Sequence, residues 1–302
     1  MSVTPFPHGI SSFGVPIFGT GRDISGSTFF VDNNSGLDSN DGSSWERAFK
    51  TMARAVTINN IDIARGSDRW ARRNTIYYCA DTETADLVAF PNKCDVIGCG
   101  SYDANTKPGI TGNHVPVNEG NYGTRFINVW FKAPADASPI VTLASTTSGC
   151  QFIDCTFSAT ATTTIGIQAT ASPFLKVTNC RFEGAFVTSY MTFGTGEAGG
   201  TEIVGNTMVD AAAAGIVVGS GMTSSWASVI KGNFIQAATL VINDDSNTTG
   251  LFFVVDNDLI STASATTGYV ASIDINLLRS AHNYLTCADI ACLYPILDTT
   301  AS

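Results

Sequence analysis

The chain has 302 residues, of which 14% are charged and 44% apolar, so it can build a continuous core and is not a disordered protein. A net charge of −10 and a pI near 4.6 oppose both a nucleic-acid backbone and an anionic membrane surface. No run of about 18 apolar residues is present to span a bilayer, so neither nucleic acid nor membrane is expected as a partner.

Residues 1–25 are rich in Gly, Pro, Ser and Phe and show neither helical nor strand periodicity. The opening stretch lacks the basic start and continuous apolar run of a secretion signal, so ordinary export is not indicated. Phe6, Phe13 and Phe18 are spaced along it, and so short a segment cannot bury three rings by itself. It is expected to lie on the body as a strap, or to act as an arm docking on another protein.

Thr28 to Asp32 reads as a strand, followed by turn formers from Asn33 to Gly42. Asp38, Asn40 and Asp41 depart from calcium-loop spacing, with Phe49 and Lys50 where a closing glutamate would stand, which favours a turn network over a metal site. Ser43 with Glu46 has the form of a capping box, and Trp45, Ala48, Phe49, Met52, Ala53 and Val56 recur at helical spacing. An amphipathic helix there would cover the open end of a stacked body. Arg54, Arg65, Arg69, Arg72 and Arg73 surround Trp70 in what reads as a solvated connection, and strands are expected at Thr75 to Cys79 and Asp86 to Phe90.

From Asp95 to Leu285 one six-residue pattern recurs eight times, beginning at Val96, Phe126, Phe152, Val177, Ile203, Ile230, Val254 and Ser280, with steps of 30, 26, 25, 26, 27, 24 and 26 residues. A fixed period in the twenties marks a solenoid. The first and sixth positions are apolar yet an odd distance apart, so both can face one core only if the chain turns a corner between them. The third position can make that turn: Gly98, Asn128, Asp154, Asn179, Gly205, Gly232, Asp256 and His282 all tolerate a left-handed backbone. The fourth position is Cys99, Val129, Cys155, Cys180, Asn206, Asn233, Asn257 and Asn283, where stacked amides can hydrogen-bond between rungs. The pattern predicts an all-β, single-stranded parallel β-helix of about nine rungs. The excursions at 102–122 and 184–200 read as loops, where binding usually resides on a solenoid.

The eight cysteines form no CxxC pair and no Cys/His metal spacing, and those at the fourth position are expected to pack inward as free thiols. No cofactor or metal is implied. Two catalytic carboxyls must sit about 5 to 9.5 Å apart; Asp244 and Asp245 point to opposite faces of a strand, and Asp256 is explained by its corner. Arg181, Asp258 and Tyr284 share the outward fifth position without an acidic ladder between them. His282 is accounted for by its corner, and His8 and His114 have no placeable partner. The second-position residues Ile97, Ile127, Ile153, Val204 and Val255 form either an outward apolar stripe, favouring contact with another chain, or an extra core row.

The stretch FFVDNNSGLDSNDGSSWERAFKTMARAV resembles the opening of the pectin-lyase-like, right-handed parallel β-helix family, with the family's capping pattern carried by Ala48, Phe49, Thr51 and Ala55. The rungs at Val177 to Phe182 and Val254 to Leu259 are similar to the family's as well. The leader FPHGISSFGVP resembles the start of phage proteins encoded among virion structural genes. Together these resemblances imply an N-terminal anchoring arm (1–25), a strand, turn and capping-helix region (26–74) and a right-handed β-helix body (75–302). The expected role is a virion structural protein: a capsid decoration, spike or fibre subunit, partnered by phage capsid or tail proteins and by copies of itself, a trimer by analogy. The alternative is a polysaccharide depolymerase or glycan-binding module acting on a host surface glycan.

Overall fold

A computed structural model of the chain describes residues 11–12, 15–16, 26–65, 72–100, 107–117, 121–134, 136–144, 147–160, 162–223, 225–244, 252–262 and 278–287. The described body is a parallel β-helix. Its first face is a 10-stranded parallel sheet that runs in strict chain order from Thr28–Asp32 through Asn74–Cys79 and Cys94–Gly98 to Leu278–Ala281. From the second recurrence on, the six-residue pattern supplies one strand to this face and then, past the corner, one to the second; after the first recurrence the second-face strand is Gly109–Thr111. Phe126, Phe152, Val177 and Ile203 pair in register on the first, and Phe131, Phe157, Phe182 and Met208 on the second.

These two inward rows line the core, and their side chains are no more than 1% exposed. Phenylalanines repeated one rung apart stack nearly parallel, with centroids at 5.6 Å for Phe126–Phe152, 5.3 Å for Phe131–Phe157 and 4.7 Å for Phe157–Phe182. Rows of identical rings at rung spacing give both apolar burial and aromatic contact.

The stretches read as loops contribute strands instead. Within 184–200 the chain forms Ser189–Phe193, whose Tyr190, Met191 and Phe193 are fully buried, and within 102–122 it forms Gly109–Thr111. Ser189–Phe193 belongs to a third face, with Val141–Leu143, Ile165–Ala169 and the distal parts of the long strands Thr207–Val218 and Phe234–Asp244. Three faces close about six turns, fewer than the nine rungs expected, because the first face continues beyond the described third-face strands at both ends.

The capping helix is Met52–Ala64, starting later than Ser43. Trp45–Arg47 is a single 3-10 turn, and Ser44 makes no side-chain cap there. The reason is that Phe49 is drawn into the sheet: its N–H donates to Phe30 O and its carbonyl accepts from Asp32 N, both at 2.9 Å. Thr51 is the N-cap, accepting from Arg54 N at 3.2 Å. Met52, Ala55, Val56, Asn59 and Ile63 form the buried side of the helix. The expected strand at Asp86 to Phe90 is not formed; the second face begins at Glu83–Thr84, while Leu87 and Phe90 are buried outside any strand.

Candidate functional site

The corner residues behave as backbone devices. Asn128, Asp154, Asn179, Gly205, Gly232, Asp256 and His282 all have φ between 53° and 68°. Gly98 is the exception and is not left-handed; there a Cβ would meet Asn128 O at 2.0 Å, so this glycine permits a close approach of rungs. The fourth-position asparagines form a continuous ladder. Asn206 Nδ2 donates to Asn233 Oδ1 at 2.9 Å, Asn233 Nδ2 to Asn257 Oδ1 at 2.9 Å, and Asn257 Nδ2 to Asn283 Oδ1 at 2.8 Å. Each Oδ1 also accepts a backbone N–H of the preceding rung, starting with Cys180 N to Asn206 Oδ1 at 2.8 Å.

Cys155 and Cys180 continue the column, their thiols donating to Phe126 O and Phe152 O at 3.4 Å. Both are buried and free, whereas Cys99 is only half-buried. Burial first, and then the neighbouring Cys155 thiol, push Cys180 well above the ordinary thiol range. Cys180 is not a nucleophile in that state.

Other buried polar groups are also consumed by the fold. Glu83 crosses to the helix start, where Met52 N donates to its two oxygens at 3.0 and 3.1 Å. Tyr78 Oη lies 2.9 Å from Gly109 O and 3.2 Å from Glu83 Oε2. With the single tyrosine proton on Gly109 O, a protonated Glu83 completes the second bond, in keeping with burial raising its pKa to about 7. His114 is fully buried, its Nδ1 accepting from Leu87 N at 3.2 Å, and burial lowers its pKa to about 4. It has no access to a substrate.

Asp38 accepts from Lys50 N, Thr51 N and Thr51 Oγ1 at 2.9 to 3.0 Å, so the acidic turn is a backbone network. Burial would raise Asp95, but hydrogen bonds from Arg125 and Arg73 outweigh it and hold the carboxyl below its usual range. Arg73, read as part of a solvated connection, is thus a clamp between rungs, and Arg72 reaches Asp62 at 3.3 Å.

On the outside, the second-position residues Ile97, Ile127, Ile153, Val204 and Val255 are half-buried: they point away from the core and are screened by the neighbouring rungs. Arg181, Asp258 and Tyr284 are exposed, as their outward position requires. Trp130 lies in the same row, with Lys132 Nζ 3.8 Å from its ring and its own Nε1 donating to Ser158 Oγ at 2.5 Å. Ser158 Oγ donates to Glu183 Oε1 at 3.0 Å, and Arg181 Nε reaches Glu183 Oε2 at 2.7 Å. This chain of contacts neutralises the carboxylate it includes. Phe6, Phe13, Phe18 and His8 lie outside the described residues.

No family model matches the chain, and no curated protein does. Among solved structures it is similar to "Geobacillus virus E2 - ORF18", at 12% identity and a TM-score of 0.28, covering 72% of this chain and 53% of that one. The chain therefore spans about half the length of that protein.

A second column of left-handed residues lies where the chain enters the first face, three residues before the pattern: Lys93, Gly123, Gly149, Phe174 and Gly200, with φ from 46° to 71°. Glycine at 123, 149 and 200 was the readable signal for it. Phe174 in this column, and Tyr122 and Trp226 in the adjacent one, are exposed, aromatic residues that fall outside the six-residue pattern.

Proposed function

We propose that the chain is a non-catalytic structural subunit of a phage particle, a capsid decoration, spike or fibre component on a pectin-lyase-like β-helix, attached through residues 1–25. The observation that carries this reading is the use of the repeat's polar side chains. The asparagines, the inward thiols and the corner aspartates serve stacking and turning, as the ladder from Cys180 to Asn283 illustrates. A body built this way is a stiff projection whose stability comes from rung on rung. The leader's resemblance to virion-associated proteins supports a particle, and its three phenylalanines supply apolar anchors for capsid or tail proteins.

The depolymerase reading placed substrate along 102–122 and 184–200. In the described parts of those stretches the large side chains are mostly core, and Lys107 is buried against Asp154 O and Thr156 Oγ1. Among the large side chains described there, Val117, Tyr122 and Val187 are exposed. Deletion of residues 1–25 tests the attachment: the truncated body should fold with an unchanged β-sheet spectrum and fail to co-sediment with particles. Undiminished co-sedimentation would remove the arm's role.

A further inference from the structure

The outward side of the first face carries two apolar rails. The first begins at Trp45, 42% exposed, which packs edge-on against Phe30 at 4.9 Å, and Phe30 stacks on Tyr77 at 5.5 Å. Strand pairing continues the row from Tyr77 to Ile97, Ile127 and Ile153; after Thr178 it resumes at Val204, is broken by Lys231, which pairs with Asp256 at 3.7 Å, and ends at Val255. The second rail runs along the corner leading into this face and consists of Tyr122, Phe174 and Trp226, exposed by 56%, 39% and 50%. Phe174 and Trp226 touch at a centroid distance of 4.9 Å across Gly200, where a Cβ would lie 2.4 Å from the Phe174 ring.

Phe174 is in a conformation that the fold alone would give to glycine. Its φ is 60°, and Gly123, Gly149 and Gly200 hold the same column in neighbouring rungs. A bulky residue there is strained, and the ring is left partly in water. Lys93, which is half-buried, shares the column. Between the rails lies a row whose charges are paired within the chain: Arg73 and Arg125 on Asp95, and Lys176 with Glu202 at 2.7 Å. A partner laid on this face meets apolar rails with compensated charge between them.

We propose that this two-railed face binds a second copy of the same chain, with the two β-helices lying side by side. The first rail repeats at the rung spacing of about 4.8 Å and the second at every other rung, about 9.6 Å, and a rigid periodic surface is best matched by one with the same periods, which another copy supplies. The extent of the face is sufficient. From Thr28–Asp32 to Phe252–Val255 it spans roughly eight rung steps, and its width from Tyr122 to Ile127 is about 16 Å. The resulting footprint of about 600 Å² is on the scale of the ~800 Å² each partner contributes to a standard interface.

Sedimentation equilibrium on the full chain, with two double variants, tests this pairing. The wild type should weigh a multiple of 31.7 kDa at a concentration of about 100 µM. Ile127→Glu with Ile153→Glu alters the first rail, and Phe174→Gly with Trp226→Ser the second. All four side chains point away from the core, so circular dichroism should stay unchanged while either folded double variant shifts to the monomer mass. A wild type that is monomeric at that concentration, or folded variants that both keep the wild-type mass, would overturn the proposal. A monomer that still co-sediments with particles would refute the pairing and leave the attachment reading standing.

Discussion

Replacing Asn233 by alanine removes one member of the interior ladder and tests whether stacked amides hold the body together. Asn233 is 1% exposed. Its Oδ1 accepts from Asn206 N and Asn206 Nδ2, both at 2.9 Å, and its Nδ2 donates to Ile203 O at 3.0 Å and Asn257 Oδ1 at 2.9 Å. The substitution leaves the Asn206 backbone N–H without that acceptor inside the core, a cost of about 1–3 kcal/mol. The other three bonds contribute about 0.5–1.5 kcal/mol each. Asn206 Nδ2 keeps Val177 O and Asn257 Oδ1 keeps Asn233 N, which limits the loss to roughly 3–5 kcal/mol in total. Thermal unfolding followed by circular dichroism should show a midpoint lower by roughly 6–15 °C. Asn233→Cys should fall between the two, because Cys155 and Cys180 place a thiol on the corresponding carbonyl at 3.4 Å. A midpoint within about 2 °C of wild type for Asn233→Ala would refute the ladder as a source of stability.

Three further outcomes are expected. Asp154 has a φ of 53°, so Asp154→Gly should be near neutral and Asp154→Val should cost at least about 1–2 kcal/mol in denaturant titration; equal stability of the two variants would contradict the corner assignment. Glu83 has a folded pKa raised to about 7 against an ordinary 4.5, so its contribution is fully present below pH 4.5 and is lost as pH rises through 7. Glu83→Gln, which keeps a donor for Tyr78 and an acceptor for Met52 N, should flatten that part of the stability profile and make the protein more stable than wild type at pH 8, by up to about 3 kcal/mol. Parallel pH profiles would rule this out. Alkylation of the native protein, read by mass spectrometry, should spare Cys155 and Cys180 and label half-buried Cys99 faster; preferential labelling of the first two would show that the column is open.

The rungs were legible because their geometry is written twice. A residue that tolerates a left-handed backbone sits between apolar positions an odd distance apart, and the whole unit recurs on a nearly fixed interval. The third face was missed, although Val141, Ile167, Met191, Ile216 and Ile242 pair in register and recur on the same interval. Between Met208 and Ala214 two register shifts interrupt that correspondence, and in other rungs the connection to the third strand varies in length. The helix start was misplaced for a different reason. Ser43 and Glu46 satisfy a local capping rule, yet Phe49 gains more from joining Phe30 and Asp32 in the sheet than from continuing a helix, a contact between residues distant in sequence. The ends of the polar network were equally invisible, since nothing local links Glu83 to Met52 or Arg73 to Asp95. The outward stripe at Ile97, Ile127 and Ile153 was readable as a row, but the Phe174–Trp226 pair was not, because it depends on two adjacent columns meeting across Gly200.

The role proposed for the chain is tested most directly by quantitative mass spectrometry of gradient-purified particles whose genome encodes it. The chain should be present in a constant ratio to the major capsid protein across independent preparations and should survive a high-salt wash. Its absence from washed particles, with recovery only in the soluble lysate, would contradict a structural role in the virion.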